Sequence, residues 1–295
     1  VVIDTGVHDN HPDLADNIWQ NPGEVPGNGI DDDGNGFVDD VYGYDFINND
    51  GDPHDDNSHG THVAGTSAAV GNNATGVVGV AWDAQIMAAK FLSAGGSGSY
   101  ADAIASVNYT TMMINNGVNV LVSNNSWSGG SFSSGLDNAI NAYGAAGGLF
   151  VAAAGNHGTS SPRYPAGMSG ANITSVAASD SADRKAGFSA YGTSWVDIAA
   201  PGVGTVSTTP GGGYRSLNGT SMASPHVAGA AYLLWDLAGP DKATYQDIQN
   251  AMYQSVDTDA GGAGYWSGLV GSGGRLNVAN AINFLNLEWT VESST

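Results

Sequence analysis

The chain has 295 residues, 41% of them hydrophobic, which is enough for one large domain or two small ones with a real core. Seven Lys and Arg stand against 28 Asp and Glu, and the formal net charge of −21 argues against a nucleic acid partner. No apolar run reaches the roughly 18 residues of a membrane span, and the absence of cysteine excludes disulfides, thiolate zinc sites and a cysteine nucleophile.

Short apolar runs alternate with helical patterns along the chain. In chain order we predict a strand at 1–3, a helix at 59–69, a strand at 85–91, a helix at 100–116, a strand at 118–123, a helix at 133–146, strands at 149–153, 173–177 and 196–199, and helices at 221–237 and 244–255. This order predicts an α/β fold of three layers, with a mostly parallel twisted sheet and helices on both faces. In such folds the functional site lies beyond the carboxyl ends of the strands.

No linker or shift of composition divides the chain, so we predict one domain over residues 1–285 and a polar tail over 286–295. The first residues, VVID, have the pattern of a buried strand, with neither a Met nor a signal peptide ahead of them. We therefore expect that a preceding segment has been removed or was not included.

Almost all of the acidic residues are aspartates, and many lie in Gly- and Asn-rich loops, where short carboxylates suit hard cations. The segment DDDGNGFVDD follows the start of an EF-hand loop but lacks its terminal bidentate Glu. It predicts a single calcium loop, with a solvated acidic turn as the alternative. The candidate ligands are Asp31, Asp33, Asn35, Asp39 and Asp40. Calcium dependence favours a location outside the cell.

Three segments carry candidate catalytic residues. Asp4 ends a strand in VVIDTG, His59 and His62 lie at a helix start in NSHGTHVAGT, and Ser221 opens a helix in NGTSMASPHVAGAAYLL. Taken singly, they could be a turn Asp, a packed or metal-binding His pair and an N-cap Ser. A nucleophile at a helix start, however, has its oxyanion beside free N–H groups and the positive end of the helix dipole. Together an Asp, a His and a Ser meet the needs of acyl transfer.

The words DTG, HGTHVAGT and GTSMASPHVAG resemble the three signatures of the subtilisin-like serine proteases, or subtilases, and are most similar to the thermitase-like branch. The resemblance covers residues 1 to about 285. It implies a serine endopeptidase with calcium-stabilised loops that forms an acyl-enzyme on Ser221. His59 would be the general base and then acid, and Asp4 would orient His59. His62 matches a family position that is not the base.

The resemblance also implies where substrate binds. Asn156, at the end of AAAGN, would donate to the oxyanion, a role that an amide fills without titrating. Two segments match edge strands between which a peptide lies as a third strand, and backbone bonding predicts tolerance of substrate sequence. Residues 153–155 and the segment RYPA match the wall and base of the pocket for the residue before the scissile bond. The implied substrate-binding residues are Gly96, Ser97, Gly98, Tyr100, Ser126, Trp127, Ser128, Ala153, Ala154, Gly155 and Arg163.

Arg163 begins RYPA at a position where a small or neutral residue is common in the family. Its guanidinium could pair with a substrate Glu or a Tyr phenol and would repel Lys or Arg. We hypothesise that cleavage after Glu, or after Tyr and Met, is enhanced over cleavage after Lys. The alternative is that Arg163 turns to solvent or pairs with a nearby carboxylate.

Two further calcium sites are implied by the resemblance. DFINNDGDPHDDNSHG resembles a second calcium loop of thermitase-like enzymes, in which His54 stands where the family has Gln; its ligands would be Asp45, Asn48, Asp50 and the carbonyl of Asp52. A third site joins HPDL to AVGNNATGV through the side chains of Asp13 and Asn73 and the carbonyls of Val70, Thr75 and Val77. Its usual N-terminal ligand would lie ahead of Val1, in a segment that family members carry before the catalytic Asp and that we expect to be missing.

The resemblance implies protein and peptide substrates, an N-terminal propeptide that assists folding and inhibits the zymogen, and a secreted, extracellular monomer. Two other classes remain open. A metal-dependent hydrolase could use Asp4, His59, His62 and His226, but it would lack an HExxH-like Glu base and leave the Ser segment unexplained. A non-catalytic, calcium-stabilised protein of the same fold is the other. No nucleic acid or membrane partner is expected.

Overall fold

The computed structural model describes residues 1–239 and 242–285, so the polar tail predicted at 286–295 lies outside the described residues. The strands are β1 (Val2–Asp4), β2 (Gly43–Asp45), β3 (Ala88–Lys90), β4 (Val122–Asn125), β5 (Leu149–Ala153), β6 (Ile173–Ser179), β7 (Ile198–Pro201), β8 (Thr205–Thr209) and β9 (Gly213–Leu217). The helices are α1 (His59–Ala68), α2 (Tyr100–Asn115), α3 (Ser134–Ala145), α4 (Thr220–Ala238), α5 (Tyr245–Gln254) and α6 (Val278–Phe284).

Strands β1 to β7 form one parallel sheet in the order β2-β3-β1-β4-β5-β6-β7. Strands β8 and β9 form a separate antiparallel hairpin. The chain continues from β1 to β2 and β3 on one side of it, and then crosses to β4 on the other side. A crevice therefore opens between the carboxyl ends of β1 and β4, where ligands bind in sheets of this kind.

Helices cover both faces of the sheet, which confirms the predicted three-layer α/β fold. Helices α2 and α3 pack on one face through buried side chains such as Tyr109, Ile140 and Tyr143. Helices α4, α5 and α6 pack on the other. Helix α4 is apolar on most sides, because of its Ala, Val and Leu residues, and most of it is buried. No helix in the described ranges has both the length and the apolar character that crossing a membrane requires.

The predicted helix starts lie within one residue of the observed ones, and capping residues explain this accuracy. Ser99 precedes α2 and accepts a hydrogen bond from the Asp102 N–H (3.1 Å), while Thr244 precedes α5 and accepts one from the Asp247 N–H (3.3 Å). Both Asp side chains return a bond to the cap residue, which completes a capping box. These helix starts are therefore fixed by local sequence.

Strand bounds were predicted less well than helix bounds. The predicted strand at 85–91 is Ala88–Lys90, and the one at 118–123 is Val122–Asn125. Strands β2, β8 and β9 and helix α6 were not predicted, because they are short and the three strands carry polar residues rather than a continuous apolar run. The hairpin matters for function because it packs on α1 and leads into α4.

Candidate active site

The predicted Asp and His meet at the carboxyl end of β1. Asp4 is fully buried, and His59 is the first residue of α1. The His59 Nδ1–H donates to Asp4 Oδ1 over 2.7 Å, and the Thr5 N–H donates to the same oxygen over 2.8 Å. Asp4 Oδ2 is buried without a hydrogen-bond partner among the described residues. The carboxylate is thus held as an acceptor that faces the imidazole.

Asp55 fixes this arrangement, and the sequence analysis missed it. Its Oδ1 accepts from the Thr5 hydroxyl and from the N–H groups of Asn57 and Ser58, each at 2.9 Å. Its Oδ2 accepts from the N–H (2.8 Å) and hydroxyl (2.6 Å) of Thr61. Ser58, the residue before α1, is in the left-handed conformation (φ 93°) and makes no side-chain cap. Asp55 therefore caps α1 and ties it to the end of β1.

Lys90 makes a second connection between the same segments. It is 1% exposed, and its ammonium donates to the carbonyls of Thr5 (2.7 Å) and Leu92 (3.1 Å) and to the Asp56 carboxylate (2.7 Å). A buried ammonium needs such partners because desolvation is costly. The available signal was a single Lys within the apolar run AAKFL, one of only seven basic residues in the chain.

The two histidines of HGTH have different environments. Burial lowers the pKa of His59, but the charge of Asp4 and its hydrogen bond outweigh burial, so the pKa of His59 is raised overall. Burial lowers the pKa of His62 to about 4, and its Nε2–H donates to the Arg215 carbonyl (3.1 Å) on β9. Of the two, only His59 has its ring beside the Asp4 carboxylate.

Ser221 is the second residue of α4 and lies beside the end of β4. Its hydroxyl donates to the Ser126 carbonyl (3.0 Å), and the Ser126 hydroxyl donates back to the Ser221 carbonyl (2.8 Å). Ser126 and His59 line the same cleft. These contacts bring the predicted nucleophile to the crevice that holds His59.

Asn156 follows β5 with its amide in a defined orientation. Its Oδ1 accepts from the Thr220 N–H (2.9 Å) and hydroxyl (3.0 Å), which turns Nδ2 away from Thr220. A Cβ added to Gly219 would lie 3.4 Å from Asn156 Nδ2 and 3.5 Å from the Ser221 nitrogen. Two N–H donors therefore border one small space beside the predicted nucleophile, as an oxyanion site requires.

The predicted substrate-binding segments form the walls of one cleft. Its volume is about 560 Å³, and His59 contributes to its lining. The hydroxyl of Tyr100 donates to the Ser131 carbonyl (2.6 Å) and so connects the two rims. The predicted residues in this cleft are Gly96, Ser97, Gly98, Tyr100, Ser126, Trp127 and Ser128.

The remaining substrate-binding candidates lie beside this cleft. Residues 153–155 are buried, and the Gly129 N–H donates to the Tyr164 carbonyl (2.7 Å), which joins RYPA to the cleft wall. Arg163 is exposed, and no ion pair or side-chain hydrogen bond of Arg163 is present within the described ranges. Its Cγ lies 3.6 Å from the position of a Cβ on Gly155, and its Nη1 lies 3.7 Å from that of a Cβ on Gly130. The side chain thus extends from one wall toward the other.

The predicted calcium ligands are arranged in three different ways. In the acidic loop, carboxylate oxygens of Glu24, Asp31 and Asp33 lie within 4.8 Å of one another, the one such group of three His, Cys, Asp or Glu residues in the described ranges. Glu24 was not predicted, because it lies outside the DDDGNG pattern. Asp39 instead accepts from the N–H groups of Asn28 and Gly29.

Asp40 and Asn35 are also engaged within the loop. Asp40 is fully buried and accepts from the Tyr109 hydroxyl (2.6 Å) and from the amides of Asn21 and Asn35. The Asn35 amide also donates to Asp33 (3.1 Å). Asp40 therefore connects the loop to α2.

The other two predicted sites contain no third converging carboxylate or histidine within the described residues. In the second, Asp45 accepts from the N–H and the amide of Asn48, and Asp50 accepts from the Asp52 N–H. In the third, Asp13 is fully buried and accepts from the Asn73 amide (2.7 Å) and the Val77 N–H (2.8 Å); Val70 donates to its carbonyl, and Thr75 donates its N–H to Asn73.

Known proteins are similar in sequence to this chain over nearly its whole length. The sequence model of the subtilase family, Peptidase_S8, matches residues 1–273. Over 283 residues the chain is 40% identical to thermitase of Thermoactinomyces vulgaris, covering 96% of this chain and 88% of that protein. It is also 40% identical over 283 residues to a thermophilic serine proteinase of Bacillus sp. (strain AK1), covering 96% of this chain and 61% of that one.

A solved structure extends the likeness to the fold. The crystal structure of a cold adapted subtilisin-like serine proteinase superposes with a TM-score of 0.70 at 31% sequence identity. The superposition covers 92% of this chain and 86% of the other.

Proposed function

This chain belongs to the subtilase family, and on that premise we propose that Ser221, His59 and Asp4 carry the peptide hydrolysis of this subtilisin-like serine endopeptidase. Ser221 is the nucleophile, His59 the general base and then the general acid, and Asp4 orients the imidazole. The observation that carries the proposal is the 2.7 Å bond from His59 Nδ1 to Asp4, because it leaves Nε2 free for the reacting groups. The match to thermitase agrees with the branch expected from the motifs.

In the acylation step, the Ser221 hydroxyl turns from the Ser126 carbonyl to His59 Nε2, which removes its proton as Oγ attacks the substrate carbonyl carbon. Asn156 Nδ2 and the Ser221 N–H both donate hydrogen bonds to the developing oxyanion. The imidazolium, stabilised by Asp4, then protonates the leaving amine. The amine leaves, and the acyl portion of the substrate remains bound as an ester of Ser221 Oγ.

Deacylation repeats these roles with water. His59 removes a proton from the water that attacks the ester carbonyl, and the same two N–H donors hold the second oxyanion. His59 then returns the proton to Ser221 Oγ, which restores the enzyme. Loss of the Asn156 amide costs about 3 to 4 kcal/mol of barrier in both halves, because one of two donors is removed.

The metal-dependent hydrolase is disfavoured by the surroundings of its would-be ligands. His62 donates to the Arg215 carbonyl, and His226 donates from Nδ1 to the Met222 carbonyl (2.8 Å). Burial lowers the pKa values of both rings. Neither ring shares the Asp4–His59 contact, so the four residues do not form a common ligand set.

The test is covalent labelling with a serine-directed phosphonylating reagent. We expect one label per chain, on Ser221, together with loss of peptidase activity. Ser221→Ala should take up no label and hydrolyse no peptide while it keeps its melting temperature; Ser181→Ala, an exposed serine in the loop after β6, is the matched control. Hydrolysis by Ser221→Ala at the rate of the control would refute the assignment.

We propose that the substrates are extended protein and peptide segments lying between the walls of the cleft. The 126–128 wall follows β4, and the 96–98 wall precedes α2, so both offer backbone groups to a third strand. The pocket for the residue before the scissile bond lies beside 153–155. The Arg163 side chain extends from the Gly155 wall of this pocket toward Gly130. This supports a preference for Glu, or for Tyr and Met, over Lys at the residue before the scissile bond.

We propose that calcium stabilises the acidic loops and takes no part in hydrolysis. The predicted ligands offer oxygen donors, which suit a hard cation. Binding to the folded state alone stabilises it by RT ln(1 + [L]/Kd).

We further propose that residues 1–285 form one catalytic domain of a secreted monomer that matures from a zymogen by loss of a propeptide. The single seven-stranded sheet built from these residues supports one domain, and membership of the subtilase family supports secretion and processing from a zymogen.

A further inference from the structure

Arg215 lies on β9, the strand that leads into α4. Its carbonyl accepts the Nε2–H of His62 on α1 (3.1 Å). Its partner across the hairpin is Ser207, whose hydroxyl donates to the His62 carbonyl (2.7 Å). Directly opposed residues of an antiparallel pair point to the same face. The Arg215 side chain therefore starts on the face of the hairpin that packs on α1, the helix that begins at His59.

The same face of β9 continues to the nucleophile. Side chains two residues apart on a strand share a face, so Leu217 lies on the same side as Arg215. Leu217 packs against a buried cluster that contains Met222, the residue after Ser221. The side of β9 that carries Arg215 is thus bordered by the helix of the general base and by the start of the helix of the nucleophile.

The guanidinium of Arg215 is available to a ligand. Arg215 is exposed, and it takes part in no ion pair within the described ranges. Its charge nevertheless acts on the active site. The pKa of His59 is lowered by burial, raised by Asp4 and Asp55, and lowered by the positive charge of Arg215. A carboxylate brought close to His59 on this side could pair with that charge.

The proposed chemistry places the leaving half of the substrate on this side of His59. The acyl half lies between the 96–98 and 126–128 walls, and Arg215 is not part of the cleft that they form. The leaving nitrogen takes its proton from His59, so the substrate chain continues from this nitrogen past His59 and away from the walls. Each extended residue adds about 3.3 Å, so the first two residues stay within the ~10 Å over which an exposed charge acts in dilute salt.

We propose that Arg215 determines specificity for the leaving half of the substrate and favours an acidic side chain at one of the first two residues after the scissile bond. Glu or Asp would pair with the guanidinium, whereas Lys or Arg would meet a like charge. With Arg163 on the acyl side, one cation then stands on either side of the scissile bond, in a chain with only seven Lys and Arg. This inference rests on the proposed function and extends it to the leaving side.

The test uses peptides with Phe before the scissile bond, so that Arg163 has no charged partner. Glu, Gln or Lys occupies the first or the second position after this bond, and kcat/KM for its cleavage is measured at low salt. With the wild type, Glu should exceed Gln by about two- to fivefold at one of the two positions, as expected for one exposed charge pair, and Lys should fall below Gln. High salt should shrink both differences.

Two variants of Arg215 separate its charge from its place in the hairpin. Arg215→Gln should bring the Glu to Gln ratio to about one, whereas Arg215→Lys keeps the charge and should keep Glu above Gln. Arg184→Ser, which removes an exposed arginine elsewhere, should leave the ratio unchanged. The inference is overturned if the wild type cuts Glu and Gln peptides equally at both positions, or if Arg215→Gln loses the same factor on every peptide. If no peptide is cut at all, the proposed function itself fails.

The pH profile gives a readout that a merely structural role would not move. Loss of the Arg215 charge removes an influence that lowers the pKa of His59, so the acid limb of activity in Arg215→Gln should move to higher pH at low salt. Arg215→Lys should keep the midpoint of the wild type. A midpoint that stays fixed in Arg215→Gln would contradict the closeness of this charge to the leaving group.

Discussion

The active site and the acidic loop each contain one buried carboxylate oxygen without a donor, Asp4 Oδ2 in the first and Glu24 Oε2 in the second. The difference lies in what faces each carboxylate. Asp4 faces His59, whose ring gains a positive charge during the reaction, whereas Glu24 faces two more carboxylates. The protein therefore supplies the compensating charge itself in the first region, whereas in the second the proposed calcium ion would supply it.

The largest expected effect is that of Asp4→Asn on activity. We expect kcat/KM to fall by about 10⁴-fold, because an amide no longer stabilises the imidazolium or fixes its tautomer. Calcium affinity should not change, since the loop is untouched. Titration of calcium and peptide hydrolysis on the same preparation would show whether the two regions are as independent as their contacts suggest.

The pH profile of Asp4→Asn tests how the Asp4 carboxylate acts on His59. The pKa of His59 is raised in the folded enzyme by Asp4, so activity should rise with pH through a midpoint above the ordinary value of 6.5. Removal of the charge leaves burial dominant, which lowers the pKa, so the residual activity should rise at lower pH. An acid limb that keeps its midpoint in Asp4→Asn would contradict the role given to this carboxylate.

Removal of calcium comes next in size. Chelation should lower the melting temperature by several degrees and accelerate self-digestion, because about 2.7 kcal/mol of stabilisation is lost when the ion had been present at 100 times its Kd. Initial peptide turnover should be unchanged, since in the proposed role calcium stabilises the loops and takes no part in hydrolysis. Asp33→Ala and Asp50→Ala test the two predicted calcium loops, DDDGNGFVDD and DFINNDGDPHDD, separately. A chelated enzyme that keeps its melting temperature at low salt would count against a calcium ion in either loop.

Asp197 offers a third case, a carboxylate that forms no ion pair with a His, Lys or Arg among the described residues. Burial raises its pKa to about 6, although the Ser175 N–H donates to it (2.7 Å). Because the folded state then holds this proton more tightly than the unfolded one, stability falls as pH rises from 3.8 to about 6. Asp197→Asn should gain about 1 to 2 kcal/mol above pH 6 and nothing below pH 3.8, measured by denaturant unfolding. An equal gain at both pH values would exclude the linkage to a proton.

The smallest effect concerns substrate choice. Arg163→Ser should reduce kcat/KM for peptides with Glu before the scissile bond by about two- to fivefold relative to Phe peptides, because one exposed charge pair is lost. High salt should shrink the difference. Arg184→Ser, another exposed arginine, is the control. If the wild type cuts Lys and Glu peptides equally well at low salt, Arg163 does not select substrate charge.

Several features of the site could be predicted because they depend on residues that are close together in the sequence. Asp4 ends an apolar strand, and His59 and Ser221 lie at the starts of helical patterns. The sequence therefore predicts which strand or helix carries each residue, and at which of its ends. The fold class followed from alternating apolar runs and helical patterns. The hairpin of β8 and β9 was missed because its polar strands carry no such pattern.

Other features required the tertiary structure. Asp55 and Asp56 are adjacent and chemically identical, yet Asp55 caps α1 and Asp56 forms an ion pair with Lys90 of β3. Glu24 lies seven residues before Asp31 and outside any ligand spacing, and it joins the acidic group because the turn folds back on the loop. No local pattern distinguishes such residues, since their partners are distant in sequence.

The sequence by itself determined the family and the strand and helices on which the proposed catalytic residues lie, because short-range periodicity and capping act within a few residues. Tertiary structure alone decided which carboxylates find donors, which way the Asn156 amide and the His62 ring point, and where charges converge. These outcomes depend on hydrogen bonds and Coulomb interactions between distant segments, whose strength is set by burial and separation. The fold creates that burial and separation only after the segments have come together.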